Sequence, residues 1–302
     1  MRAPTKLLPP GRAPHGIGLR RVIVGTDLSL DGDRALRRTA ALSLAPRAIL
    51  VVTYVLSRRV TPAVESVVRG AAEIELQKAV GKLEQLLEQR GRSDVAVRGR
   101  LLRGRPADEI RRLADTVEPD LIVVGRRGQS RLREMVLGST ARRLLREGRH
   151  PVLVVSRPPT APYRKVVVGL DLAPAALRAA KMAGAVIPTT ATAIAVHAYE
   201  GPFGGLPPAF VPDWGNREPG ALRTRTRLLR RALEPIAAGA KPWQLTIRQG
   251  DPRRVLLEMA RRKRADLVVV GSRGKSRLER TVLGSVAEGV LDRASCDVLL
   301  VR

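Results

Sequence analysis

Residues 125–140, GRRGQSRLREMVLGST, return 146 positions later as GSRGKSRLERTVLGSV, and the repetition reaches far beyond this stretch. VIVGTDLS (22–29) is echoed by VVVGLDLA (166–173), 144 residues on. RGRPADEIRRLADTVEPDLIVVG (103–125) is echoed by QGDPRRVLLEMARRKRADLVVVG (249–271), and HPVLVVS (150–156) by CDVLLVR (296–302), each 146 residues on. Nearly constant offsets mean two copies of one domain in tandem, with almost no net insertion. The boundaries follow: an N-terminal tail at 1–19 expected to be disordered, a first domain at 20–157, a linker at 158–163 rich in Pro, and a second domain at 164–302.

Within each copy, apolar runs alternate with helical patterns. In the first, strands are expected at 21–26, 48–55, 94–102, 120–125 and 151–156. Helices are expected at 31–46, 64–90, 106–117 and 139–148, with Pro106 at N1 and Gly91 as a C-terminal cap. AILVVTYV (48–55) is apolar on both faces, as a strand covered on both sides must be. Strands alternating with helices indicate an α/β fold of two tandem, doubly wound, parallel five-stranded sheets, Rossmann-like in each copy.

Composition excludes several classes. One Cys in 302 residues supports neither a disulfide framework within the chain nor a Cys-based metal cluster. No run approaches the ~18 apolar residues of a membrane span, and the tail has no signal-peptide core, so a soluble cytoplasmic protein is expected. The formal net charge of +27 pulls towards polyanions, yet only 2% of residues are aromatic, which argues against a reader of single strands or of RNA. Non-specific electrostatic contact with nucleic acid is the expectation.

In a doubly wound sheet, ligands bind beyond the carboxyl ends of the strands where the strand order reverses. The repeated glycine stretch falls there in both copies. Gly274-Lys275-Ser276 invites a P-loop reading, but position 269, where that motif needs Gly, holds Val. Instead, Gly125 and Gly271 end strands, and Gly138-Ser139 and Gly284-Ser285 open helices. That arrangement brings backbone N–H groups and a helix N-terminus to one place, which suits phosphate. Glycines at 128 and 274 let backbone approach an anion. Ser139, Ser285 and Thr140 add hydroxyls. Arg126, Arg127, Arg131, Arg273, Lys275 and Arg277 stand nearby as phosphate-neutralising charges. Asp27 and Asp171 end the first strands, so an acid faces the sugar side and donors face the phosphates: a nucleotide site.

At these residues the sequence resembles the universal stress protein family in its tandem, ATP-binding form. The family's motif G-x2-G-x9-G-[ST] is matched by Gly125, Gly128, Gly138 and Ser139 and again by Gly271, Gly274, Gly284 and Ser285. The resemblance runs from about Arg20 to Arg302 and includes the G-x-P turns at Gly104–Pro106 and Gly250–Pro252. It implies a strand order of 3-2-1-4-5, with fifth strands pairing so that the two domains form an intrachain pseudo-dimer, and a homodimer beyond that. It implies ATP, ADP or AMP as ligand, Mg2+ held through the phosphates, and an unidentified protein partner. The implied contacts are Gly25, Asp27, Val55, Gly104, Val124 and Thr140 in the first copy, and Gly169, Asp171, Ala198, Gly250, Val270 and Val286 in the second, beside the motif residues. Tyr54-Val55 is taken as equivalent to Ala198-Tyr199 near adenine, which predicts that the second site, with Ala where the first has Tyr, binds ATP better.

No nucleophile elbow, Ser-His-Asp order or metal-ligand cluster is present. His150 and Cys296 occupy equivalent places before the last strands and are expected to be structural. A regulatory nucleotide-binding module acting in stress response through partner contacts is the expectation. Slow ATP hydrolysis, another nucleotide-using activity of the same fold, and a basic nucleic-acid-associated role are the alternatives.

Overall fold

The computed structural model describes residues 18–56, 62–127, 137–159, 161–200, 219–237, 243–272 and 283–302. The chain divides into two compact units, residues 1–160 and 161–302. The first is built from β1 (Leu19–Thr26), α1 (Leu30–Ala40), β2 (Leu44–Leu56), α2 (Pro62–Glu88), β3 (Ala96–Arg103), α3 (Pro106–Val117), β4 (Leu121–Gly125), α4 (Ser139–Glu147) and β5 (Val152–Val155). The second repeats the series as β6 (Lys165–Gly169), α5 (Pro174–Val186), β7 (Thr192–Tyr199), α6 (Pro219–Ala237), β8 (Gln244–Gln249), α7 (Pro252–Lys263), β9 (Leu267–Gly271), α8 (Ser285–Arg293) and β10 (Asp297–Val301).

In the first unit the strands lie in the order β3-β2-β1-β4-β5, and every pairing between them is parallel. In the second the order is β8-β7-β6-β9-β10, again all parallel. Each sheet therefore reverses direction between its first and fourth strands. Val22, Ile23 and Val24 of β1 and Val166, Val167 and Val168 of β6 are fully buried at those central positions. Each such side chain contributes about 1.5–3 kcal/mol by leaving water. The edge strand β3 alternates exposed and half-buried residues instead, as one bare edge and a partly wet face require.

Two clamps hold the switch strands in register, one in each unit. Asp120 Oδ2 accepts from the backbone N–H groups of Arg20 and Arg21 at 2.7 and 2.9 Å. Asp266 Oδ2 does the same for Arg164 and Lys165 at 2.8 and 3.0 Å. The G-x-P turns are also conformationally alike, with Gly104 at φ +156° and Gly250 at φ +136°, values that L side chains rarely adopt.

The first helix is shorter than its sequence pattern predicts. It ends at Ala40 rather than near 46, and β2 begins at Leu44. Pro46 lacks the N–H a helix needs, and Arg47 sits at φ +56°. Leu44 pairs with Leu19 before the register shifts to Arg21 opposite Ile49. The Arg92 guanidinium donates to the carbonyls of Leu44 and Ala45, both at 2.8 Å, and fixes this early strand.

Tyr163, at the end of the expected linker, is 1% exposed, and its hydroxyl donates to Asp297 Oδ2 at 2.8 Å inside the second unit. Among the described residues, no helix is long and apolar enough to cross a membrane. The expected tail lies mostly outside those residues.

Candidate functional site

In each unit a cleft opens at the carboxyl ends of the first and fourth strands, where the strand order reverses. The two are alike in size, about 110 Å³ in the first unit and about 120 Å³ in the second. What separates them is chemistry.

The first cleft is lined by Gly25, Thr26 and Asp27 from the end of β1, Tyr54 and Val55 from β2, and Val124, Gly125 and Arg127 from β4. Gly138, Ser139, Thr140 and Ala141 close it with the start of α4, while Gly32, Pro106 and Ile110 complete the wall. Gly138 is the N-cap of α4 and has no side chain to satisfy the first-turn donors. Its own N–H is already engaged, donating to the Arg126 carbonyl at 2.8 Å and so closing the base of the loop. The uncapped N–H groups of the first turn and two hydroxyls thus converge on a cleft whose other side carries Asp27.

A polar network ties this cleft together. Asp27 Oδ1 accepts from the Ser29 N–H at 3.1 Å and from its hydroxyl at 2.5 Å. The Ser29 hydroxyl in turn caps α1 at Gly32. Thr26 Oγ1 accepts from the Leu28 N–H at 3.0 Å. Asp31 Oδ2 accepts from the Arg127 N–H at 3.1 Å, and its Oδ1 pairs with Arg34. Gly32 fits because a Cβ there would stand 2.5 Å from the Thr26 hydroxyl.

The second cleft keeps the frame and loses most of the polarity. Its lining is Gly169, Leu170, Asp171, Ala176, Val196, Ala198, Pro252, Leu256, Val270, Gly271 and Val286. Leu170 stands where Thr26 does, Ala173 for Ser29, Ala175 for Asp31, Ala176 for Gly32 and Val286 for Thr140. Asp171 survives, accepting from the Ala173 N–H at 2.9 Å. Gly284 is again an uncapped helix start, with its N–H donating to the Ser272 carbonyl at 2.9 Å. Among the described residues of that helix start, Val286 lines the cleft, whereas Gly284 and Ser285 do not.

Gly125 and Gly271 owe their identity to packing as much as to any ligand. A Cβ on Gly125 would stand 2.6 Å from the Asp31 carbonyl oxygen, and one on Gly271 would stand 2.8 Å from the Ala175 carbonyl carbon. Gly104 and Gly250 shape the turns before α3 and α7 but do not line the clefts; Pro106 and Pro252 take that place. Gly128, Gly274, Arg131, Arg273, Lys275 and Arg277 lie outside the described residues, as does the segment 201–215.

Two expectations fail on register and orientation. The Gly104 N–H donates to the Leu56 carbonyl, and the equivalent Gly250 N–H donates to that of Tyr199, both at 2.9 Å. Leu56 pairs with Arg103, and Tyr199 pairs with Gln249. Tyr199 therefore corresponds to Leu56, Ala198 to Val55 and His197 to Tyr54, one residue away from the alignment read in the sequence. The case for a better second site compared Tyr54 with the wrong residue and falls with it. Arg126, expected to face phosphate, is 7% exposed and does not line the cleft; its Nη1 donates to Ser156 Oγ at 3.3 Å. Among the described residues, Arg127 is the cation that lines the wall.

The two histidines among the described residues sit in the framework. His197 is buried, with Nδ1 2.8 Å from the Leu170 carbonyl. His150 sits with Nε2 3.6 Å from Asp115 Oδ1, and burial holds its pKa below the usual histidine value against the carboxylate's opposing pull. Cys296, its counterpart, is buried and forms no disulfide. Among the described residues, no group of three or more His, Cys, Asp or Glu could hold a metal ion.

Thr26, Gly32, Ile110 and Ala141 line the first cleft without belonging to any motif, and Arg127 stands in the sequence level with its basic neighbours. Comparing the copies singles out two of them, Thr26 against Leu170 and Gly32 against Ala176, whereas Arg127 is matched by Arg273 and carries no such signal.

Known proteins with this pattern are consistent. The chain matches the Universal stress protein family twice, over residues 18–156 and 162–302. A universal stress protein of Mycolicibacterium smegmatis is 30% identical over 307 residues, covering 93% of this chain and 96% of that one. Another, from Methanocaldococcus jannaschii, is 34% identical over 150 residues, 46% of this chain and 82% of the relative. The solved structure of a universal stress protein from Archaeoglobus fulgidus superposes with a TM-score of 0.69 at 20% identity, covering 94% of this chain and 98% of that one, which speaks for the fold alone. The duplicated strand order and the double match together place this chain in the universal stress protein family, as a tandem of two of its domains.

Proposed function

We propose that the clefts bind adenine nucleotide and that their occupancy alters contacts with a protein partner, making the chain a nucleotide-responsive regulatory module in stress response. The observation that carries this reading is the first cleft. An uncapped helix start with the Ser139 and Thr140 hydroxyls faces Asp27 across a switch point. The α4 N-terminus and the Arg127 guanidinium supply positive potential for phosphates, worth more in a partly enclosed cleft than in open water. Asp27 is placed to accept from ribose hydroxyls, and Val55 with Ile110 offers an apolar surface to the base. The residues fit ATP, ADP or AMP. Mg2+ would come in with the phosphates and be held through them.

Binding, rather than dedicated turnover, is the chemistry this lining supports. Neither lining contains a histidine among the described residues to activate a water. The test is calorimetric titration of the full chain with ATP, ADP and AMP, with mass spectrometry of nucleotide released on denaturation. Saturable heat at submillimolar concentration is expected. Absence of heat for all three at millimolar concentration, from protein shown to be free of nucleotide, overturns the reading.

A further inference from the structure

We propose that helix α6 carries a docking surface for duplex DNA, gripping the phosphate backbone without regard to base sequence. The inference is independent of the clefts. It starts from a divergence between the copies. Helices α2 and α6 occupy the same place in their units, each joining the second strand to the third. Helix α2 holds five glutamates (65, 73, 75, 84 and 88) against Arg69, Lys78 and Lys82, a balance of −2. Its cations are engaged: Arg69 with Glu73, Lys78 with Glu75 and Lys82 with Asp33. Helix α6 holds Arg223, Arg225, Arg227, Arg230 and Arg231 against Glu234 alone, a balance of +4. Among the described residues, none of these five arginines pairs with a carboxylate.

The placement of the charges is ordered. Arg223, Arg227, Arg230 and Arg231 fall at i, i+4, i+7 and i+8, so they share one face, and all four are exposed. The opposite face is already used. Leu229 and Leu233 are 0% and 5% exposed, where α6 packs against α5. From Arg223 to Arg231 the helix rises about 12 Å, over which B-form DNA presents roughly seven phosphates on its two strands. Four guanidiniums in a row match that density and have no carboxylate to leave.

The alternatives fit less well. A helix that lies in a membrane surface needs a free apolar face, and that of α6 is buried against its neighbour. A single-strand site needs stacking aromatics, and none lies on α6. A protein partner would be expected to find an apolar anchor at the centre of its footprint, and this face offers Leu228 beside the arginines. The other dense basic run, Arg261, Arg262 and Lys263 in the last turn of α7, has a local explanation. It faces the negative end of its helix, and Arg262 pairs with Glu258.

The experiment is fluorescence anisotropy of the full chain with a labelled 20-base-pair duplex of scrambled sequence, titrated across salt. About four phosphate contacts predict a slope of log affinity against log salt between about −3 and −4, or roughly a hundredfold loss from 50 to 200 mM. Replacing Arg223, Arg227, Arg230 and Arg231 together by Gln should remove most of that slope. Arg227→Gln alone should reduce it by about 1. The fourfold change to Lys should keep the slope, which separates lost charge from lost fold. Arg261→Gln with Arg262→Gln at the end of α7 should leave it near the wild-type value. Equal losses from the α6 and α7 variants would assign binding to net charge and overturn the proposal. Binding to phosphatidylserine vesicles without binding to the duplex would overturn it as well.

Discussion

The two clefts share a frame and differ in what lines it. Both sit at the reversal of strand order, both end in an uncapped helix start, and both keep an aspartate at the end of the first strand. The first adds Thr26, Ser29, Asp31 and Thr140 around that aspartate. The second answers at those four positions with Leu170, Ala173, Ala175 and Val286, while Arg127 is matched in the sequence by Arg273. Positions that serve packing have stayed alike, as the Asp120 and Asp266 clamps show, while among those that face the cleft Thr26 and Thr140 have given way to Leu170 and Val286. Shared geometry therefore does not make the two sites chemically equal. On the proposed function, the first is expected to bind the phosphorylated ligand more tightly.

The strongest test of the shared frame is steric. Gly125→Ala and Gly271→Ala each place a methyl under 3 Å from helix backbone, which cannot yield as a side chain can. Each should destabilise its unit by about 1–3 kcal/mol or more, measured by denaturant unfolding. Gly184→Ala, whose added methyl meets nothing within 4 Å, should be neutral or stabilise slightly. A large loss from only one of the first two would break the equivalence of the units.

The difference between the linings predicts a smaller effect on ligand affinity. Arg127→Gln should weaken ATP binding at the first cleft by tenfold or more, as loss of a charge-assisted contact of about 1.5–3 kcal/mol. Thr140→Val, nearly the same shape, should cost about threefold to tenfold, and Val286→Thr should strengthen the second cleft by a similar factor. Calorimetry on each full-length variant reads both sites. If ATP binds more tightly at the second cleft in the unaltered chain, polarity is not what ranks them.

The smallest effect concerns pH and the paired positions 150 and 296. Burial lowers the pKa of His150 in the folded chain, ahead of the opposing attraction of Asp115. The unfolded chain then takes up the proton first as pH falls. This contribution to stability is fully present above about 6.5, the ordinary histidine value, and is lost as pH drops through the lower folded value. Urea unfolding between about pH 5 and 7 should show the first unit weakening towards acid, and His150→Cys, which copies Cys296, should flatten that slope. An unchanged slope in the variant would assign the acid sensitivity to other groups.

The sequence by itself determined the architecture. Two copies at near-constant offset, with apolar runs alternating with helical patterns, leave a parallel doubly wound sheet as the arrangement that buries VIVG and LIVVG on both faces. It also placed the glycine stretches at the strand ends, because a strand that stops at Gly125 and a helix that starts after Gly138 are local facts. Tertiary structure decided what depends on register and on side-chain direction. A one-residue difference in strand alignment moves every side chain to the other face, so matching Tyr54 to Ala198 rather than to His197 compared residues that are not equivalent. Arg126 and Arg127 are adjacent and equally charged in the sequence, yet one turns towards Ser156 and the other lines the cleft. The early start of β2 likewise rests on Leu44 pairing with Leu19 across the sheet, residues 25 apart that no local pattern joins.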